Sequence, residues 1–464
     1  MNEERNPTGR TGRTDSVESG ETGAQPPPMR WRLALHMFLA LFILCFFIKG
    51  VYFLVAADPL FSLRQYPQGS DLTLYTLLAM ITAGVYGAIV YWSYQIVFRK
   101  LERRSRLEAG PAFGRREGWI AVAGIVLLIA YFRANFAQAV YLGATGAFLF
   151  RHFYLDPSKF YSGEVGVQAF FLQIQQGLLF IFAVYAVMKG NRLLIFLAIL
   201  YCLFQVVLAN GSRFTLLSAL LLVPTTAYLI HWRRPHHYRW CLAGMYGTVL
   251  CLPFIAALLL GARNTGSIAL SSQPAEAVLS EALVTFDSID HLINYLYLMP
   301  VDWTGERPLE DFWQIVPRAL YPGKPILYGQ GVLQEQMYPG TKGAGTGTYV
   351  YGDYPLSCVV MALDLYLPVG LLLHGILMGA FLAGMDIGLA RRSLLGVSFF
   401  ALSFFFILGL IRSGIVSFVL GEIPSTYIPL LFTAGLLKLG GYKIRIRPQA
   451  SQDSPPPIPG NMPA

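Results

Sequence analysis

The sequence is cut into apolar runs close to the length a helix needs to cross a bilayer, and most of its charge sits between them. A span takes roughly 20 residues of helix. Runs of that kind cover 33–54, 72–98, 118–142, 167–188, 193–210, 214–231, 240–261, 367–389, 394–412 and 424–441. Apolar residues make up 55% of the chain and charged residues 13%, about half the charged share of a soluble domain. The 464 residues would suffice for about two or three soluble domains. Instead the pattern predicts an all-α polytopic membrane protein of about ten transmembrane helices.

The net charge of +9 and isoelectric point near 9.2 do not point to nucleic acid, because of where the charge lies. Basic clusters stand at Arg30 and Arg32, Arg99 to Arg116, Arg233 to Arg239, Arg391 and Arg392, and Lys443 to Arg447. Each abuts an apolar run, as cytoplasmic loops do under the positive-inside rule. Placing all five inside puts both termini in the cytoplasm. Residues 1–30 and 448–464 are polar, rich in Gly, Pro, Ser and Thr, and read as disordered cytoplasmic tails. The first apolar run is too long for a secretory signal core and predicts an uncleaved helix.

Between the tails the reading is of a membrane domain over 31–261 with seven helices, an extracytoplasmic loop over 262–354, and a second membrane part over 355–447 with three helices. The loop carries ten acidic and five basic residues, the reverse of the inner loops. Pro274 to Leu298 has helical periodicity (Val278, Ala282, Phe286, Ile289, Ile293, Leu296) and predicts an amphipathic helix on the membrane or on the bundle. An aromatic, Pro- and Gly-rich stretch from Trp313 to Pro325 follows, then a Gly-rich run from Gly340 to Gly352. Loops of this length are usually functional. Asp364 and Pro368 interrupt the apolar pattern of Pro355 to Gly370, which predicts a short interfacial or re-entrant helix ahead of the next span.

Cations near the outer boundary are the most informative chemistry. Arg213 sits in the tight turn Asn210-Gly211-Ser212-Arg213, Arg133 lies inside its span, and Arg412 closes another before Ser413-Gly414. Arg318 and Lys324 lie in the outer loop. An Arg at mid-membrane costs about 2.5–3.5 kcal/mol on insertion scales, so it faces a cavity or a partner, or snorkels to the interface. Several on one side suit an anionic ligand such as a lipid-linked diphosphate, with Arg making bidentate contacts and Lys acting as a point charge. Asp287 and His291, four residues apart, share a helix face. A carboxylate beside an imidazole orients it for taking a proton from a sugar hydroxyl; the plainer reading is a solvated helix face. Glu310, Asp311, Glu335 and Asp353 carry the same ambiguity.

Other signals are weak. Gly323-Lys324 lacks the upstream glycine of a phosphate-binding loop, and His236-His237 lies in a basic inner loop. The five cysteines, Cys45, Cys202, Cys241, Cys251 and Cys358, fall in or beside apolar segments without metal-ligand spacing and read as small buried hydrophobes. No metal or cofactor is expected.

This arrangement resembles the O-antigen and exopolysaccharide polymerases, the Wzy-type oligosaccharide repeat-unit polymerases. The resemblance rests on about ten spans with one dominant outer loop in the C-terminal half and on the Ser212-Arg213 turn between two central spans. It rests also on Pro317-Arg318-Ala319-Leu320-Tyr321-Pro322-Gly323-Lys324-Pro325, on the ten residues between Arg318 and Gly329, and on the Gly352 to Gly370 stretch with Leu365-Tyr366-Leu367-Pro368-Val369-Gly370. A second such Arg-to-Gly spacing in another outer loop is missing. The resemblance implies a glycosyltransferase at the outer face of the bacterial cytoplasmic membrane, joining glycans carried on undecaprenyl diphosphate. Membrane lipids and the lipid-linked oligosaccharide would be its partners, together with a chain-length regulator, and no nucleic acid. Asp287 or His291 would take the acceptor proton. Arg213, Arg318, Lys324 and Arg412 would bind the diphosphate. Trp303, Trp313, Tyr321, Tyr328, Tyr349 and Tyr351 offer flat faces for sugars or belong to the interfacial belt.

Two other activities remain open on sequence: an O-antigen ligase, and a transporter or flippase of the lipid-linked oligosaccharide. Transporters often carry internal repeats and midplane charges. The chain shows no repeat.

Overall fold

A computed structural model describes residues 32–56, 67, 70–104, 118–145, 164–208, 222–228, 230, 239–240, 242–251, 286–298, 307–310, 312–313, 316, 321, 323, 325, 329–338, 356–391, 393–404, 406–421 and 423–439. Among these residues the regular structure is helical throughout. Helix α1 (Leu33–Phe42) runs through a π-helical stretch (Ile43–Ile48) into α2 (Lys49–Ala56). Then come α3 (Ser70–Arg104), α4 (Gly118–Thr145), α5 (Glu164–Lys189) and α6 (Arg192–Leu208). The loop part contributes α7 (Ser288–Leu298), the single turn α8 (Arg307–Glu310) and α9 (Gln330–Met337). The C-terminal part holds α10 (Cys358–Asp364), α11 (Pro368–Ala390), α12 (Leu394–Phe404), α13 (Ile407–Ser413), α14 (Ile415–Gly421), a π-helical stretch (Ile423–Tyr427) and α15 (Ile428–Leu439).

Four helical stretches among the described residues are long and apolar enough to cross a membrane: Leu33–Val55, Ser70–Glu102, Ile120–Ala137 and Pro368–Ala390. Two bent pairs raise the number to six if each is one span. The first is α12 with α13, bent by 58°, and the second is α14 with the segment Ile423–Leu437, bent by 54°. Arg192–Gln205 and Leu242–Cys251 are shorter apolar helices. Large apolar side chains stand exposed on α3 (Ile81, Trp92, Ile96) and on α11 (Leu372, Leu377). Water would penalise such a surface, and a hydrocarbon environment would not.

The sequence pattern predicts one straight helix over 394–412, but the chain bends between Phe404 and Ile407. Phe406 takes a non-helical conformation and its amide donates to Ser403 O in a tight turn. The pattern also passes over α14, which occupies part of the interval between the predicted runs. The π-helical stretch over Ile423–Tyr427 includes Pro424, which has no N–H to give to the helix ladder. Around Pro368 the chain forms two helices: α10 and α11 are parted by Leu365 to Leu367, with positive φ at Tyr366 and Leu367 and proline in the first turn of α11.

Small residues let α3 and α11 lie in close contact. A Cβ on Gly379 would fall 2.6 Å from Val90 O, and one on Gly375 would fall 2.7 Å from Ile89 Cγ2. The two glycines are four residues apart on one helix face, the small-xxx-small spacing that brings membrane helices together. At the far end of α11, Asp386 caps α1. Its carboxylate accepts from Ala34 N at 2.9 Å and Leu35 N at 3.4 Å, and Tyr94 OH donates to it at 2.8 Å. The first amides of a helix have no partner within it, so a buried carboxylate from another helix satisfies them. A separate apolar cluster joins α4, α5, α6, α12 and α15 through Leu128, Phe182, Tyr185, Tyr201, Val397 and Leu437.

Candidate functional site

Helix α7 begins just after Asp287, whose carbonyl accepts from His291 N at 3.2 Å. Its apolar face (Ile289, Leu292, Ile293) is fully buried. Its polar residues are buried as well: Asp287 is 5% exposed, His291 3%, and Ser288, Asp290 and Asn294 0%. The solvated-face reading of Asp287 and His291 is therefore corrected. The helix packs against α3, α9, α10 and the π-helical stretch of the first span, and its polar side finds protein partners there. Residues 274–285, the first part of the predicted amphipathic helix, lie outside the described residues.

Arg412, in the last turn of α13, meets Asp287 with two nitrogens. Nε donates to Oδ1 at 3.3 Å and an Nη donates to Oδ2 at 3.1 Å, the paired geometry that makes guanidinium–carboxylate contacts strong. His291 Nε2 lies 3.4 Å from the same Oδ2, at ion-pair distance without hydrogen-bond geometry. His291 Nδ1 is 2.9 Å from Tyr338 OH, and Asn294 Nδ2 donates to that hydroxyl at 3.0 Å. On the neighbouring side of α7, Lys49 donates to Asp290 in a buried ion pair, both side chains being shielded from solvent. Lys49 also stands 5.8 Å from the centre of the Phe53 ring. The Arg412 side chain, 18% exposed, is more accessible than the Asp287 it holds.

Burial alone would push the Asp287 carboxyl up. Arg412 first, then His291 and Lys49, outweigh it and hold Asp287 well below the usual carboxylate range. Asp290 goes the other way: burial raises it, against the pull of Lys49. Burial also raises the Tyr338 phenol, with the Asn294 amide opposing. Two carboxylates three residues apart on one helix are thus driven in opposite directions, a separation typical of sites that move protons.

The surroundings hold Arg412 in place through backbone. Ser357 N donates to Arg412 O at 2.6 Å, while the Ser357 hydroxyl accepts from Val360 N and caps α10. Gly414 ends α13 with a φ of +78° and lets the chain close on His374. That ring accepts from Ile415 N at 3.0 Å and bonds Tyr86 OH at 2.8 Å. Tyr295 OH reaches Asp364 Oδ1 at 3.5 Å, and Glu310 accepts from Gly329 N at 3.0 Å, tying α8 to the start of α9.

Of the residues singled out by sequence, the structure brings together Asp287, His291 and Arg412. Arg213, Arg318 and Lys324 lie outside the described residues. So do Trp303, Tyr328, Tyr349, Tyr351, Asp311, Asp353 and the His236-His237 pair. Arg133 is exposed on α4. Trp313 and Tyr321 stack on each other with ring centres 5.4 Å apart. Sequence reasoning missed Lys49, Asp290, Asn294 and Tyr338. For Lys49 a signal existed, a single cation within the run Phe46-Phe47-Ile48-Lys49-Gly50. Tyr338 carried none. Comparison with protein-family models, curated proteins and solved structures finds no match to this chain.

Proposed function

We propose that the protein is a membrane glycosyltransferase that polymerises undecaprenyl-diphosphate-linked oligosaccharide repeat units into O-antigen or exopolysaccharide. It would act at the outer face of the bacterial cytoplasmic membrane, with about ten spans, both termini inside and the 262–354 loop outside. The observation that carries this reading is the convergence of Arg412, Asp287 and His291, a cation and an acid–base pair brought together from a membrane helix and the loop. In the reaction the acceptor sugar hydroxyl attacks the anomeric carbon of the donor glycan. The new C–O bond forms as the bond to undecaprenyl diphosphate breaks, so no nucleotide sugar is consumed. Arg412, joined by Arg213, Arg318 and Lys324, stabilises the charge on the departing diphosphate, and its two nitrogens on Asp287 match the spacing of anionic oxygens. His291, oriented by Asp287, accounts for the proton lost by the acceptor.

The test is polymer length in a host that supplies the lipid-linked unit, with wild type compared to Arg412→Ala at matched membrane abundance. Loss of the long-chain ladder with single units still displayed outside supports the polymerase. A finished glycan moved onto a different lipid points to the ligase. The buried Lys49 within the candidate span Leu33–Val55 favours one rival reading, a flippase, since ionisable residues within membrane helices often line transport routes. Units trapped on the inner face in the variant would establish that rival and remove the polymerase.

A further inference from the structure

Helices α3 and α11 run side by side in the same direction. A Cβ on Gly375 would meet Ile89 and Tyr86, and one on Gly379 would meet Val90, Ser93 and Tyr94. That register carries Arg391, which directly follows α11, to the level of the last turns of α3, where Arg99 and Lys100 stand exposed. The start of α1 joins them. Asp386 accepts from its first amides, Tyr94 OH donates to the same carboxylate, and the Arg32 guanidinium lies 5.2 Å from the centre of the Phe98 ring, one turn past Tyr94. The ends of these helices therefore place Arg32, Arg99, Lys100 and Arg391 at one end of the bundle. The acidic residues described there are Glu102, half-buried, and Asp386, buried and engaged by the α1 amides and Tyr94. His36, half-buried one turn into α1, lies within the field of Arg32. Behind the cations the surface turns apolar. Trp92 is 65% exposed and Ile96 66%, and steps of four and then three residues put them on one face of α3 with Arg99.

We propose that this end of the bundle docks an acidic phospholipid, with its phosphodiester against Arg99, Lys100 and Arg391 and its acyl chains along Ile96 and Trp92. A soluble anion would match the cations alone. A nucleic acid or an acidic protein would leave Trp92 and Ile96 in water. The phospholipid answers both parts, because its charge and its chains are joined in the same order as the cations and the apolar face. Arginine offers paired contacts to phosphate oxygens and lysine a point charge, while Arg32, held over Phe98, adds positive field between α1 and α3. In the topology proposed above this is the inner leaflet, whose anionic lipids attract basic side chains beside membrane helices. The proposal goes beyond the polymerase reading and stands without it; it rests on the membrane reading of the apolar helices.

The experiment reconstitutes the full chain in vesicles that mix phosphatidylglycerol with phosphatidylcholine, one of the two carrying brominated chains. It reads quenching of the Trp92 fluorescence, isolated by difference from Trp92→Phe. Wild type should select phosphatidylglycerol at low salt and lose that preference as sodium chloride rises, because such contacts are screened. Arg99→Gln, Lys100→Gln and Arg391→Gln change exposed positions. Each should lower the preference about fivefold, which corresponds to about 1 kcal/mol per basic side chain at an anionic surface. Equal quenching by the two lipids in the wild type overturns the proposal, and so does a preference that survives the triple variant. Sodium phosphate at the ionic strength of the chloride control separates lipid from free anion. Loss of the preference in phosphate but not in chloride overturns the phospholipid assignment, and equal effects of the two salts support it. Should the triple variant fold poorly, the wild-type lipid and salt series decides by itself.

Discussion

Arg412 and Asp287 are 125 residues apart in sequence and joined by two hydrogen bonds in space, so the end of α13 and the residue that leads into α7 share one charge pair. Removing only the cation leaves a carboxylate almost without solvent. Arg412→Gln should cost about 3–5 kcal/mol, the range for breaking a buried pair from one side. Thermal unfolding in detergent micelles checks it.

The same pair sets an acid limit. Because Asp287 is held below its ordinary range, its stabilising contribution is complete above the unfolded carboxyl value of about 3.9 and is lost as pH falls toward the lower folded value. The thermal midpoint of the wild type should fall progressively as pH drops below about 4. Asp287→Asn should flatten that slope while lowering the midpoint at pH 7.

Lys49 and Asp290 allow a separation of pairing from burial. Lys49→Met alone removes the cation paired with a buried carboxylate and should destabilise by about 3–5 kcal/mol. The double variant Lys49→Met/Asp290→Leu should recover most of that loss, because two apolar chains of similar volume fill the space without a desolvation cost. Midpoints for the two single variants and the double variant form the cycle. Additive losses would mean that the residues act apart.

Where α3 and α11 meet, Gly379 has no room for a larger side chain. Gly379→Val should force the helices apart and cost at least about 1–3 kcal/mol, as overpacking does. A midpoint equal to wild type would show that the crossing has slack.

Asp386→Ala should free the Ala34 and Leu35 amides, with a cost of about 1–3 kcal/mol for groups left unsatisfied. Hydrogen exchange at those two amides is the direct readout, and it should accelerate while exchange in the middle of α3 stays slow.

The helical class and the long apolar helices were legible from run length alone, since about 20 apolar residues admit few other folds. The Asp287–His291 spacing also held its meaning, because helical periodicity puts residues four apart on one face. What the periodicity did not carry was the fate of that face. A polar stripe looks the same whether water or Arg412 meets it, and Arg412 is far away in sequence. Lys49 was obscured by length, sitting in a run apolar enough to absorb one cation, with a partner 241 residues on. The bend at Phe406 and the π-helical stretch at Ile43–Ile48 involve neither Gly nor Pro. Nothing in the length of the apolar runs marks them. The ten-span topology rests on apolar runs of which several fall partly outside the described residues.

The cap on α1 also imposes an order in time. The ribosome makes the Ala34 amide 352 residues before the Asp386 carboxylate that accepts its hydrogen bond. Through nearly all of synthesis the first amides of α1 must find other partners, and they gain this cap only when α11 arrives. Chains that stall before Asp386 would therefore carry a first helix without this cap, giving quality-control proteases a way to tell unfinished copies from finished ones.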